Sequence, residues 1–426
     1  MAEERVACKT EGCVNSIQTA TARRNDGYCG VCFNRIAQEK RRAFIEKNRR
    51  DVDLYQGASD PVDLLLIYHQ PRSYDQLNRY VDPPRTVEEL YTSLTPMQRD
   101  RMIEYAVKAI AEGDNNIAEN IALCLAAFTT TCLDPLLSEF VARDRYWPPL
   151  AFRNADDCFT HALIDALATN GPADKILQSL AWIGTTQVAR FFAESDAQPP
   201  PWAGSLHQSP SRYANVAGWE LRDGRRHDLH FDQCYAMDAS SESDVEAISV
   251  SAMRSSNSNC SWCQRPLRQL VQFDLADARL HFLAAHQSPL SVYTCEVCTC
   301  FTGDGGPFFR ATAHGRWAWA PQNQKPEYLP SAAEDWGSSP WSEVPVTIRH
   351  RRAWHAADQF IPTTFSQIGG LPTWINDPVY PTCVECGRTM TFIAQLDNGA
   401  FLTHEGMYYA FLCSECGVTA TAYQQT

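Results

Sequence analysis

No stretch of this sequence is apolar for long enough to cross a membrane. The most apolar run, Ile121 to Ala127, falls far short of the roughly 20 residues that a spanning helix needs. The opening Met1-Ala2-Glu3-Glu4-Arg5 lacks the apolar core of a secretory signal, so the expectation is a soluble, cytoplasmic protein. Catalytic signatures are also missing. There is no Gly-x-Ser-x-Gly elbow, no His-Glu-x-x-His and no Gly-x4-Gly-Lys-Ser/Thr loop. Gly303-Asp304-Gly305-Gly306 is glycine-rich but has no following lysine, and it reads as a hairpin turn rather than a phosphate cradle. Asp156-Asp157 sit where a helix start favours negative charge. The 11 histidines show no pairing with cysteine or serine, so the expectation is a protein that is not an enzyme. Positive charge is scarce as well: 37 Lys and Arg against 50 Asp and Glu leave a net charge of −13. That balance argues against nucleic acid as the main partner.

Cysteine, by contrast, is abundant. There are 17, an odd number, in a chain read as intracellular, which argues against a disulfide framework. Twelve fall into close pairs. Cys8-x4-Cys13 is followed by Cys29-x2-Cys32, Cys260-x2-Cys263 by Cys295-x2-Cys298, and Cys383-x2-Cys386 by Cys413-x2-Cys416. Two cysteines on a tight knuckle supply half a tetrahedron and a second knuckle supplies the rest. This is the donor set of Zn2+, so three structural sites are expected, each closed by four thiolates. Of the others, Cys124, Cys132 and Cys158 read as core residues and Cys300 as a spare beside a knuckle. Cys234 follows His227 and His230, a weaker metal-binding candidate than a polar strand edge.

The last two cysteine sets lie in matching sequence. At a constant offset, Cys260, Cys263, Arg265, Gln272 and Asp274 map onto Cys383, Cys386, Arg388, Gln395 and Asp397. The pattern reads as a duplicated zinc-ribbon β-module, with a strand buried on one face after each knuckle.

Texture divides the chain into three expected domains. Residues 1–50 form a zinc-binding module ending in a basic helix, with 11 basic and 6 acidic residues. The apolar Phe33, Ile36, Ala37 and Phe44 of that helix are expected to pack on the protein. Residues 51–197 carry helical periodicity, as in Ile103, Ala106, Val107 and Ile110 after Thr95-Pro96, and end helices at Gly113 and Gly184. They form either a HEAT-like stack or a bundle. Residues 198–426 open on Pro199-Pro200-Pro201 and turn to short aromatic-rich alternating runs, a β-rich domain with the Ser-rich stretch Ala239 to Asn259 as a loop. The fold class is thus α+β and multidomain: an N-terminal zinc module, a helical middle and a C-terminal duplicated zinc-ribbon β domain.

The run Gln367-Ile368-Gly369-Gly370-Leu371-Pro372-Thr373-Trp374-Ile375, the Cys383/Cys386 knuckle, Met390 and Phe392 to Asp397 resemble the YwqG-like family of bacterial proteins, over about 80 C-terminal residues. Knuckles within that domain mark a variant form. The resemblance implies service, in some members, as immunity proteins that neutralise polymorphic toxins. The N-terminal cysteine segment is similar to a small zinc module on bacterial proteins of that sort. The expected function is therefore a bacterial immunity protein that binds a cognate toxin domain stoichiometrically. The alternative is a nucleic-acid-binding or scaffold protein that uses the basic N-terminal module.

Overall fold

A computed structural model describes residues 5–169, 171–240, 249–285, 287–312, 316–329, 341, 343–401 and 405–425. They form two compact units, Met1–Thr86 and Val87–Thr426. The texture changes near residues 50 and 197 therefore fall inside compact units.

The first unit opens with the hairpin β1 (Arg5–Ala7) and β2 (Ser16–Gln18), then α1 (Thr19–Arg24) and α2 (Gly30–Asn48). Strand β3 (Arg50–Val52) runs parallel to β4 (Asn78–Tyr80), with α3 (Pro61–His69) between them in sequence. Cys32 is the one buried residue of α2. Val31, Phe33 and Phe44 are 73%, 40% and 59% exposed. The expectation that this helix packs through Phe33 and Phe44 is thus corrected: its apolar residues are too sparse and too scattered to make a continuous buried stripe.

The second unit begins with helices α4 (Val87–Thr92), α5 (Pro96–Glu112), α6 (Asn115–Phe128), α7 (Asp134–Ala142), α8 (Asp157–Ala168), α9 (Ala173–Ile183) and α10 (Thr186–Ala197). Helix α5 starts on a capping box, in which Gln98 N–H donates to Thr95 Oγ1 and Thr95 N–H donates to Gln98 Oε1. It stops at Gly113, whose positive φ suits a residue without Cβ.

After the hairpin β5 (Trp219–Arg222) and β6 (Arg225–Asp228) come the remaining strands. They are β7 (Phe231–Ala239), β8 (Val250–Asn259), β9 (Pro266–Phe273), β10 (Leu290–Thr294), β11 (Phe308–Ala311), β12 (Trp317–Trp319), β13 (Val344–Arg352), β14 (Gln367–Gly370), β15 (Thr391–Asp397), β16 (Met407–Cys413) and β17 (Val418–Gln424). Short helices α11 (Glu296–Phe301) and α12 (Asn398–Phe401) interrupt them. Eleven strands make one antiparallel sheet in the order β10-β9-β8-β13-β7-β14-β15-β16-β17-β11-β12. The sheet curls almost closed. Thr421 of β17 donates to Thr294 of edge strand β10 at 3.0 Å, and the rings of Tyr293 and Phe309 lie 5.5 Å apart.

Two sequence expectations change here. Of the Ser-rich stretch Ala239 to Asn259, residues 241–248 lie outside the described residues, and Val250–Asn259 is a strand, not a loop, because β9 pairs along it and β13 pairs at Ser251 and Ala252. The strand after the Cys383/Cys386 knuckle is buried on both faces rather than one: in β15, Ile393, Ala394 and Leu396 join the cluster with Leu270, Phe273 and Leu290, while Phe392 packs with Trp374 and Tyr380. In the next strand, β16, Tyr408, Ala410 and Leu412 join the first cluster and Met407, Tyr409 and Phe411 the second. The curl covers one face and the segment carrying Trp374 covers the other.

Helices and sheet share polar ties. Trp219 Nε1 donates to Ala181 O at 2.8 Å, and Arg352 Nη1 to Phe128 O at 2.6 Å. Glu88 of α4 accepts from Thr363 Oγ1 at 2.6 Å and lies 3.1 Å from Arg349 and 3.2 Å from His355. Burial opposes its charge, but the hydrogen bonds from His355 and Thr363, with Arg349 beside them, hold its carboxyl down to about 2. A carboxylate held below its unfolded value adds stability above that value and loses it as pH falls toward 2. Glu88→Ala, which leaves buried His355 without its carboxylate partner, is expected to destabilise the second unit by about 1–3 kcal/mol in urea titration at neutral pH. The deficit should shrink on acidification, and an unchanged midpoint would refute it.

Candidate metal centres

The structure gathers all twelve clustered cysteines into three groups of four, with the Sγ atoms of each group all within 4.8 Å of one another. Cys8 and Cys13 lie between β1 and β2, and Cys29 and Cys32 sit at the start of α2. Cys260 and Cys263 occupy the turn from β8 to β9, opposite Cys295 and Cys298 at the start of α11. Cys383 and Cys386 precede β15, and Cys413 and Cys416 flank the turn from β16 to β17.

The Sγ separations are 3.6 Å for Cys13–Cys32, 3.9 Å for Cys13–Cys29, 3.4 Å for Cys263–Cys295, 3.8 Å for Cys260–Cys298 and 3.7 Å for Cys386–Cys413. A disulfide would bring two sulfurs to about 2.05 Å. A tetrahedron of thiolates about 2.3 Å from a central ion has edges of about 3.8 Å, which these distances match. With four thiolates in place, none of the centres keeps a position for substrate.

Hydrogen bonds favour charge on some of the sulfurs, while burial and neighbouring thiols push others up, among them Cys13 and Cys383. Cys29 caps α2 and accepts from Cys32 N–H at 3.5 Å, and Cys295 caps α11 and accepts from Cys298 N–H at 3.5 Å. The Cys29 N–H points at Cys8 Sγ and draws that thiol down to about 6, while the Cys32 N–H lowers Cys29. Hydrogen bonds from the Cys295 and Cys298 thiols pull Cys260 far below the ordinary thiol range. Asn15 adds an amide donor 3.6 Å from Cys29 Sγ, a contact that cysteine spacing alone does not reveal.

The second and third centres share their knuckle construction. Cys260 N–H donates to Arg265 O and Gln264 N–H to Cys260 O, each at 2.8 Å. Cys383 N–H donates to Arg388 O at 2.8 Å and Gly387 N–H to Cys383 O at 2.9 Å. Gln264 and Gly387 both take positive φ. After each following strand, an aspartate accepts from the N–H two residues on: Asp274 from Ala276 at 3.0 Å and Asp397 from Gly399 at 2.9 Å. Their cover differs. Trp262, Phe309 and Trp319 surround the second centre, whereas Cys386 of the third is exposed.

The other cysteines divide otherwise than the sequence reading. Cys124 is buried, but Cys132 and Cys158 are exposed because each lies just outside or at the first turn of its helix, away from the apolar stripe. His227, His230 and Cys234 do not converge. His227 Nε2 meets Arg222 at 2.8 Å, His230 Nδ1 meets Gly218 O at 3.0 Å, and the buried Cys234 thiol faces Gln367 at 3.5 Å. Asp156 caps α8 by accepting from Cys158 N–H, and the Gly303–Gly306 run is a turn from α11 into β11.

The Gly-Gly-x-Pro-x-Trp run is architecture. A Cβ on Gly369 would lie 2.1 Å from Gln233 O, and one on Gly370 would lie 2.7 Å from Ala353 O. Gln395 accepts from Thr373 N–H at 2.8 Å and donates to Phe365 O at 2.7 Å, and Gln424 accepts from Ile375 and Asn376 N–H groups at 3.0 Å each. Buried glutamines thus fasten this segment to the sheet.

Geometry defines a mixed α and β protein built around three four-cysteine centres, and among the described residues no helix is long and apolar enough to cross a membrane. The chain belongs to the family of the uncharacterized protein YpfL of Salmonella typhimurium, to which it is 36% identical over 437 residues that span 100% of both chains. No protein-family model matches the sequence, and no solved structure matches it.

If the third centre holds a metal ion, Cys383→Ser removes one metal equivalent per chain and lowers the melting temperature, while Cys158→Ser leaves both unchanged. Elemental analysis and calorimetry on the two variants check this, and equal behaviour would overturn it.

Proposed function

We propose that the protein is a zinc-stabilised bacterial immunity protein, which binds a cognate toxin domain in the cytoplasm and blocks it without turnover. The observation that carries the reading is the closure of all three four-cysteine groups. Four thiolates satisfy a tetrahedral ion completely, so Zn2+ there holds structure and offers no site for hydrolysis. Zinc suits an all-sulfur donor set and does not change oxidation state. The matched knuckles and aspartate turns support a duplicated zinc ribbon around the second and third centres. The resemblance of the Gln367–Ile375 and Phe392–Asp397 segments to the YwqG-like family supplies the toxin partner. The net charge of −13 would steer encounter with a basic toxin domain.

Two measurements test this. Purified protein is expected to contain three zinc ions per chain, and one or none would reject the structural part. Co-expression with the toxin encoded beside its gene is expected to restore growth and yield a stable one-to-one complex, burying about 1,200–2,000 Å² if its interface is of standard size. Protection without a complex would point to an enzyme that reverses the toxin's damage, and absence of protection would overturn the functional part.

A further inference from the structure

In the first unit, the last turns of α2, the segment 72–76 and β4 border an open cleft of about 570 Å³. Arg41, Arg49 and Arg72 line it, together with Tyr74 and Tyr80. Its only acidic lining residue is Asp75, which lies 3.8 Å from Arg50 and accepts from Leu77 N–H at 2.9 Å.

Two of the three arginines are held by neutral groups. Arg41 donates twice to Gln76 Oε1, at 2.8 and 3.2 Å. Arg72 donates to the Tyr55 hydroxyl at 2.9 Å and lies 5.3 Å from the centre of the Tyr80 ring. Among the described residues, none of the three makes a contact ion pair with a carboxylate, although acidic residues outnumber basic ones in the chain and the charge of Arg49 helps to lower Asp51. The neighbouring Arg79 shows the contrast: it pairs with Asp51 at 2.6 Å and lowers that carboxyl. Three like charges converging on one cleft repel each other, and an anion that bridges them relieves the repulsion. The acidity of the rest of the chain counts for little, since exposed charges beyond about 8 Å are screened at physiological salt.

Two features narrow the anion. Guanidinium forks match the paired oxygens of a phosphate. Tyr74 is 87% exposed at the rim and offers a flat apolar ring on which a base can stack. Asn78 and Ser73 add neutral hydrogen-bonding groups to the wall. The volume falls in the range of about 300–1,000 Å³ that small-molecule sites occupy.

We propose that this cleft binds a nucleotide unit, either one residue of a single strand or a free nucleotide. Its phosphate lies among Arg41, Arg49 and Arg72, and its base stacks on Tyr74. The site is independent of the toxin reading and would stand if that reading failed.

The test is fluorescence anisotropy of the full-length protein with a labelled twelve-residue oligouridylate, with unlabelled strand and UMP as competitors. Binding in the micromolar range is expected at about 50 mM salt, weakening about seven-fold at about 200 mM if two phosphates are neutralised. Arg49→Gln and Tyr74→Ala each weaken it at least about five-fold, the lower end of what one stacked base contributes. Both side chains are exposed, so unchanged melting temperature and metal content confirm that the variants fold. Displacement by micromolar strand but only millimolar UMP identifies a strand as the ligand, and comparable displacement by both identifies a free nucleotide. Failure of strand and UMP alike to bind below about 100 μM at the lower salt, or binding unaltered in both variants, overturns the proposal.

Discussion

Four sulfurs within 4.8 Å of each other form an arrangement that thiolates cannot sustain alone. As thiolates they repel one another unless a cation is bound, and each group joins elements distant in sequence. The N-terminal group shows what such joining does. Its two hairpin strands have three residues each, and the buried apolar cluster there consists of Cys8, Ile17, Cys29 and Cys32. A core that small cannot offset chain entropy without a staple. In the second unit the centres sit where strands turn, so the ligands fix the turns and the sheet carries the load between them.

A second layer of fixation is polar. Gln367, Gln395 and Gln424 are buried and hydrogen-bonded to backbone, so each satisfies its amide and pins a connecting segment at once. Glu88 does the same between helix and sheet. Such groups stabilise only when every partner is present, which makes the C-terminal half sensitive to single losses far from any metal.

The cysteine clusters were legible because ligand spacing is a local property, and so were the helix ends, where Thr95, Gln98 and Gly113 act within a single turn. What the sequence hid depends on neighbours distant along the chain. Val250–Asn259 has the composition of a loop and becomes a strand through partners on either side. The double burial of β16 follows from the curl of the sheet, which no alternation within seven residues announces. Cys132 and Cys158 read as core by residue type, yet position on the helix decides burial. The basic helix that carries Arg41 was legible as a phosphate-binding candidate together with Arg49 just beyond it, but the cleft was not, because Arg72 lies on a later segment and only folding brings it to them.

The strand order also bears on how the protein is made. Strand β7 lies between β13 and β14, so neither neighbour exists until more than a hundred further residues have been synthesised. Strand β11 can pair with β12 at once, but its other side waits for β17, the last strand of the chain. During translation the three strands β8, β9 and β10 can pair with one another as a free-standing ribbon, with a sulfur set that is already complete. Metal capture there would fix the β8–β9 turn against the start of α11 while the ribosome finishes the sheet, because long-range pairing is slow. The middle cysteine set is thus placed to act early, in a sheet that is closed only by its final residues.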